Sequence, residues 1–129
     1  MNFDWHDQYK TNIPELDIQH KKVLDLIKKL QCTDDYLTEK ALLKEILNYS
    51  VFHFISETEL LQAYSYPHLN IQKKYQQDFI DQLSVSIGLF SAGNLFKENI
   101  LYSLSRWFEK HTTCENKGFD SYIRSLIPV

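Results

Sequence analysis

The stretch EKALLKEILNYSVFHFISETELLQAY, residues 39–64, decides the fold. It carries no Gly or Pro. Leu42, Ile46, Tyr49, Ser50, His53, Glu57, Leu60 and Tyr64 recur three or four residues apart and so share one stripe of a helix. The upper half of that stripe is apolar, but Ser50, His53 and Glu57 put polar groups where a core-facing helix should be greasy. A buried carboxylate is costly unless it is paired or bound to metal. His53 and Glu57 are one turn apart and can point at the same place.

Outward from this segment, three more show helical periodicity. One runs from about Asp17 to Leu30, with His20, Val23, Leu24, Ile27 and Leu30 on one face. Another starts after Pro67 and reaches about Leu89, with Gln72, Gln76, Phe79, Leu83 and Ile87 in line. The last runs from about Asn94 to Glu115, with Ile100, Leu104, Trp107, Phe108 and His111. Thr33-Asp34-Asp35 reads as a polar turn, with Thr38 as the cap of the second helix. Ser65-Tyr66-Pro67 ends that helix, and Gly88 together with Ser91-Ala92-Gly93-Asn94 separates the third from the fourth. Short breaks make successive helices antiparallel neighbours, so the expected fold is all-α: an up-down-up-down four-helix bundle. An N-terminal arm with Phe3, Trp5, Tyr9 and Ile13 should lie across it, and Gly118 should begin a short helical tail carrying Phe119, Tyr122, Ile123 and Leu126.

A length of 129 residues suits one domain, taken as residues 1–129, and a net charge of −3 offers no basic face for nucleic acid. No apolar run is long enough for a membrane span, and the N-terminus lacks the basic and apolar segments of a secretory signal, so the expected location is the cytoplasm. There, Cys32 and Cys114 are expected to be free thiols. No phosphate loop, dinucleotide fingerprint or nucleophile motif is present, which favours a binding protein over an enzyme.

His20, His53, Glu57, Gln72, Gln76 and His111 bring polarity to the inward stripes of all four helices. Two readings stand side by side. The group is a metal site built from facing helices, or it is a buried polar network. In the network, Glu57 pairs with a protonated His20 or His53, and the two glutamines bond each other, Asn116 or water. Cys114, one turn beyond His111, is either a small buried hydrophobe or a remote soft ligand.

These residues resemble a known family. The run Trp5…Tyr9…Ile13-Pro14-Glu15-Leu16-Asp17-Ile18-Gln19-His20-Lys21, the block His53-Phe54-Ile55-Ser56-Glu57, the pair Tyr66-Pro67 and the series Trp107…His111…Phe119 are similar to the motifs of bacteriohemerythrins, in the same order and along essentially the whole chain. The resemblance implies a non-heme diiron bundle that binds dioxygen, with five histidines and bridging glutamate and aspartate. His20 and His53 match the ligands of the two-histidine iron, Glu57 the bridging glutamate, and His111 the last helix's histidine for the other iron. Three positions depart: Gln72 and Gln76 stand where an HxxxH pair is expected, and Asn116 where the bridging aspartate is expected. His68, a turn before Gln72, sits at the helix start and is a poor substitute.

Amide oxygens bind iron and zinc more weakly than imidazole, and the second bridging charge is missing. The remaining His20/His53/Glu57 set, with His111 as a fourth ligand or as orienter of a bound water, implies at most one tightly held metal. Two histidines and a carboxylate suit non-heme iron or zinc. A full diiron centre is not expected. The functions implied are binding or sensing of dioxygen or another small diatomic at one metal, or metal storage. Mononuclear iron oxidation chemistry is a weaker variant of this reading. The alternatives are a metal-free bundle used for interaction or structure and, last, an intact diiron oxygen carrier.

Overall fold

The computed structural model describes residues 2–126, and among them there is no strand. After a single 3-10 turn at Asp7–Tyr9 come α1 (Pro14–Gln31), α2 (Tyr36–Ala63), α3 (Leu69–Ser91) and α4 (Lys97–Lys110). A π-helical turn, His111–Glu115, leads without a break into α5 (Asn116–Leu126). α1 packs on α2, α2 on α3, and α4 closes the ring against both α1 and α3. This is the expected four-helix bundle. No helix among the described residues is long and apolar enough to cross a membrane.

The ends of the helices correct several local expectations. α1 begins at Pro14 rather than Asp17, because proline's fixed φ and missing N–H suit the first helical position. Asp35, not Thr38, caps α2: its carboxylate accepts the Thr38 N–H at 3.0 Å. The α2–α3 turn has Ser65 at φ 53, with the Tyr66 N–H donating back to the Leu61 carbonyl at 2.9 Å, which closes α2. α3 runs through Gly88, and the reversal falls instead at Gly93, whose φ of +77 favours glycine. Gly118 does not start a separate tail. It lies inside α5, where a Cβ would stand 2.9 Å from the Tyr66 hydroxyl, so its role is close approach.

Stripe residues of α1 and α3 are buried as expected, but α2 is turned slightly. Leu43, Phe54 and Leu61 are buried, Leu42, Tyr49 and Leu60 are half-buried and Tyr64 is exposed. A helix packed between two neighbours buries a stripe wider than a single line of i, i+3, i+4 positions.

The core has two apolar layers. The larger includes Val23, Leu26, Ile27, Leu30, Leu43, Ile46, Phe54, Phe79, Leu83, Ile87, Ile100, Leu104 and Phe108. The smaller holds Leu16, Leu61, Tyr66, Phe119 and Ile123. The polar stripe residues lie between the two layers. The N-terminal arm crosses the bundle, burying Phe3 and setting Tyr9 edge-on to Phe108 at 5.1 Å. It is tied down by two carboxylates. Asp17 accepts the Thr11 N–H (2.8 Å) and hydroxyl (3.0 Å), and Asp120 accepts the Asn12 N–H (2.9 Å) and side-chain amide (2.7 Å).

Candidate metal centre

Three histidines and one glutamate meet between the apolar layers. α1 delivers His20, α2 delivers His53 and Glu57 one turn apart, and the π-helical turn that follows α4 delivers His111. His53 and Glu57 have no exposed surface, and His20 and His111 are 1% exposed. One ligand atom from each lies within 4.8 Å of every other, so the four form a group able to hold a metal ion. His53 Nε2 is 3.1 Å from His20 Nε2, 3.3 Å from His111 Nε2 and 3.2 Å from Glu57 Oε2, and His111 Nε2 is 3.1 Å from the same oxygen. Zinc or iron bound at about 2.0–2.2 Å sets its neighbouring ligand atoms about 3–3.5 Å apart, so these spacings fit.

The outer faces of two of the rings are held. His53 Nδ1 lies 2.7 Å from the Gln19 side-chain oxygen, and His111 Nδ1 lies 3.0 Å from Glu115 Oε1. Both partners accept, so both Nδ1 atoms carry hydrogen and donate. That leaves Nε2 of His53 as a bare lone pair aimed inward, 3.2 Å from a carboxylate oxygen that is also an acceptor. His20 can place an Nε2–H against His53, but its Nδ1 then has no hydrogen-bond partner. A cation at the centre removes the acceptor–acceptor opposition, and the outward bonds from Nδ1 are the usual accompaniment of Nε2 ligation.

Without a metal, the site neutralises itself differently from the sequence expectation. Burial pushes His111 down, but Glu57 and Glu115 beside it outweigh burial and raise its pKa to about 9. Burial raises Glu57, yet His111 and then His53 hold its carboxyl well below the usual range. His20 is driven well below its ordinary value by burial and by His53 and His111, and His53 is lowered by burial against the pull of Glu57. The protonated partner of Glu57 is therefore His111, not His20 or His53, because only His111 faces two carboxylates.

Gln72, Gln76 and Asn116 also lie at the cluster, all buried, and their amide nitrogens are engaged as donors. Gln76 Nε2 donates to Glu57 Oε1 (3.0 Å), and its oxygen accepts from the Thr58 hydroxyl (3.1 Å). Asn116 Nδ2 donates to Glu57 Oε2 (3.1 Å), and Gln72 Nε2 donates to the Glu115 carbonyl (3.1 Å). The two glutamines do not bond each other. The Glu57 oxygen turned away from the histidines thus already holds an amide.

Cys114 is exposed, so it is neither a buried hydrophobe nor part of the cluster. His68 is exposed at the N-terminus of α3, edge-on to Tyr66, and stays outside as well. Gln19 and Glu115 escaped the reading of the sequence. Glu115 stands one turn after His111, the same spacing that paired His53 with Glu57, and could have been found that way. Gln19 reaches His53 across a helix interface, which no local spacing encodes.

No protein-family model matches the chain. Relatives nevertheless align along most of it. The bacteriohemerythrin of Stenotrophomonas maltophilia (strain R551-3) is 23% identical over 124 residues, covering 94% of this chain and 81% of that protein. The bacteriohemerythrin of Pseudomonas aeruginosa (strain LESB58) is 27% identical over 123 residues, covering 93% and 80%. A hemerythrin-like protein of Naegleria gruberi is 28% identical over 125 residues, covering 97% and 93%. The solved structure of wild-type hemerythrin superposes with a TM-score of 0.84 at 22% identity, covering 92% of this chain and 95% of that one, a likeness of fold. The chain is therefore similar to bacteriohemerythrins over nearly its whole length, and its fold is the hemerythrin four-helix bundle.

Proposed function

We propose that this chain binds a single metal ion, iron or zinc, through His20, His53, Glu57 and His111, and that in the iron form a small diatomic such as dioxygen is its ligand. The observation that carries the reading is the convergence of three Nε2 atoms and one carboxylate oxygen on one buried point, with two rings held from behind by Gln19 and Glu115. An iron held by these four groups would have coordination positions to spare, the usual requirement for binding a diatomic. Glu57 is the anionic ligand, and Gln76 and Asn116 fix its orientation. Burial of all four ligands favours a very small guest over any larger substrate.

A second metal finds little support. Its positions are taken by Gln72, Gln76 and Asn116, whose amide hydrogens are committed to Glu57 and the Glu115 carbonyl. Oxygen carriage that draws one electron from each of two irons is therefore disfavoured. The metal-free alternative has one observation on its side: His111 and Glu57 can neutralise each other. Metal analysis of protein purified without added metal separates the readings. About one iron or zinc per chain, with an optical change when nitric oxide or dioxygen meets the ferrous form, is the expected result. Two irons per chain with oxo-bridge absorption, or no uptake of iron or zinc when either is supplied, would overturn it.

A further inference from the structure

The ligand group contains only one carboxylate, Glu57, yet a second lies just behind it. Glu115 is 8% exposed, and its Oε1 accepts from His111 Nδ1 at 3.0 Å. The backbone is shaped for this contact. The helix widens to a π turn over His111–Glu115, a form that is rare and common at functional sites. The Thr112 hydroxyl donates to the Phe108 carbonyl (2.8 Å) and the Thr113 hydroxyl to the Glu109 carbonyl (2.6 Å), serving carbonyls near the point where the helical pattern changes. Gln72 from α3 holds the Glu115 carbonyl. As a result, two consecutive residues are buried at the site: Glu115 behind His111, and Asn116 against Glu57.

We infer that Glu115 is the positioning residue of His111: its carboxylate fixes the Nδ1–H tautomer, aims Nε2 at the metal and supplies a second negative charge to a ligand set that has one. This rests on the single-metal reading, because Glu115 touches the ligand and not the metal. A carboxylate behind a ligating imidazole makes the imidazole a stronger donor, and removing such a partner typically costs about 10–100-fold in metal affinity.

The test compares the parent with Glu115→Gln and Glu115→Ala, measuring Zn(II) affinity by competition with a chelator. A glutamine oxygen can still accept from Nδ1–H but carries no charge. Glu115→Ala should weaken Zn(II) binding by about 10–100-fold, and Glu115→Gln by less, each still taking one ion. The readout that a merely structural role would not move is the His111 Nδ1–H proton resonance of the Co(II) form. It should be slow to exchange in the parent and in Glu115→Gln, and lost in Glu115→Ala. Equal affinities in all three proteins, or an Nδ1–H signal unaffected by alanine, would overturn the assignment. If the parent takes up neither ion, the single-metal reading fails separately. The same resonance in the metal-free protein then decides: protected in the parent and lost in Glu115→Ala supports the positioning contact, and no difference refutes it.

Discussion

Replacing Glu57 with glutamine removes one charge from the centre of the bundle while keeping its shape. In the metal-free protein, prepared with a chelator, that charge is the main reason His111 holds its proton to about pH 9 rather than 6.5. At about 1.4 kcal/mol per tenfold change in proton affinity, the rise is worth about 3 kcal/mol, and His111 is buried enough for no solvent discount to apply. Because the folded value is raised, this stability is fully present below about pH 6.5 and is lost as pH climbs to about 9. Glu115 also raises His111 and remains in the variant, so Glu57→Gln should remove the larger share of this, about 2 kcal/mol at pH 6–7, moving a urea midpoint by about 1–2 M. Glutamine cannot accept from both Gln76 and Asn116 through two oxygens as the carboxylate does, which leaves a residual loss of about 1 kcal/mol. Above pH 9 the gap between the two proteins should shrink to that residual. In the metal-bearing protein, the same substitution should abolish tight binding of one iron or zinc. A gap that stays constant from pH 6 to 10, or a variant as stable and as metal-loaded as the parent, would refute the pairing.

Restoring histidines and the second carboxylate, in the triple variant Gln72→His, Gln76→His and Asn116→Asp, should let the bundle take up two irons per chain and gain an oxygen-dependent colour that the parent lacks. Identical iron content and spectra in both would show that these positions do not govern the second metal. Metal affinity of the parent should rise with pH up to about 9, with close to one proton released per ion near neutrality, since His111 must lose its proton to ligate. Calorimetry in buffers of different ionisation enthalpy measures that release, and none at pH 7 would contradict it. Asp35→Ala should cost about 1 kcal/mol by uncapping α2 and leave metal content unchanged, as read by denaturation and metal analysis. Phe119→Ala should cost about 3–5 kcal/mol, since its ring fills the smaller apolar layer at 1% exposure; a loss under 1 kcal/mol in a urea titration would argue that the α5 layer is not part of the core.

What the sequence by itself determined were the features carried by neighbours along one helix. Periods of three and four residues reveal which face of each helix is buried, and short breaks make successive helices antiparallel. Those rules placed His20, His53, Glu57, Gln72, Gln76 and His111 on inward stripes, and the family resemblance added Asn116; the structure brings all seven to one interior layer. Where local rules went astray, a contact from elsewhere had decided the matter. Gly118 looks like a break but answers to Tyr66, a residue remote in the chain. Cys114 looks inward-facing on an α-helical count, but a π turn leaves it exposed.

The protonation pattern and the hydrogen-bond roles of the site were decided only by tertiary structure. A sequence can say that a histidine faces inward, but not which ring meets two carboxylates and which meets an amide. That depends on side chains from different helices approaching within about 3 Å, in a medium where charges interact far more strongly than in water. His111 holds a proton because Glu57 of α2 and Glu115 of its own π turn both reach it. His20, with no such partner, does not.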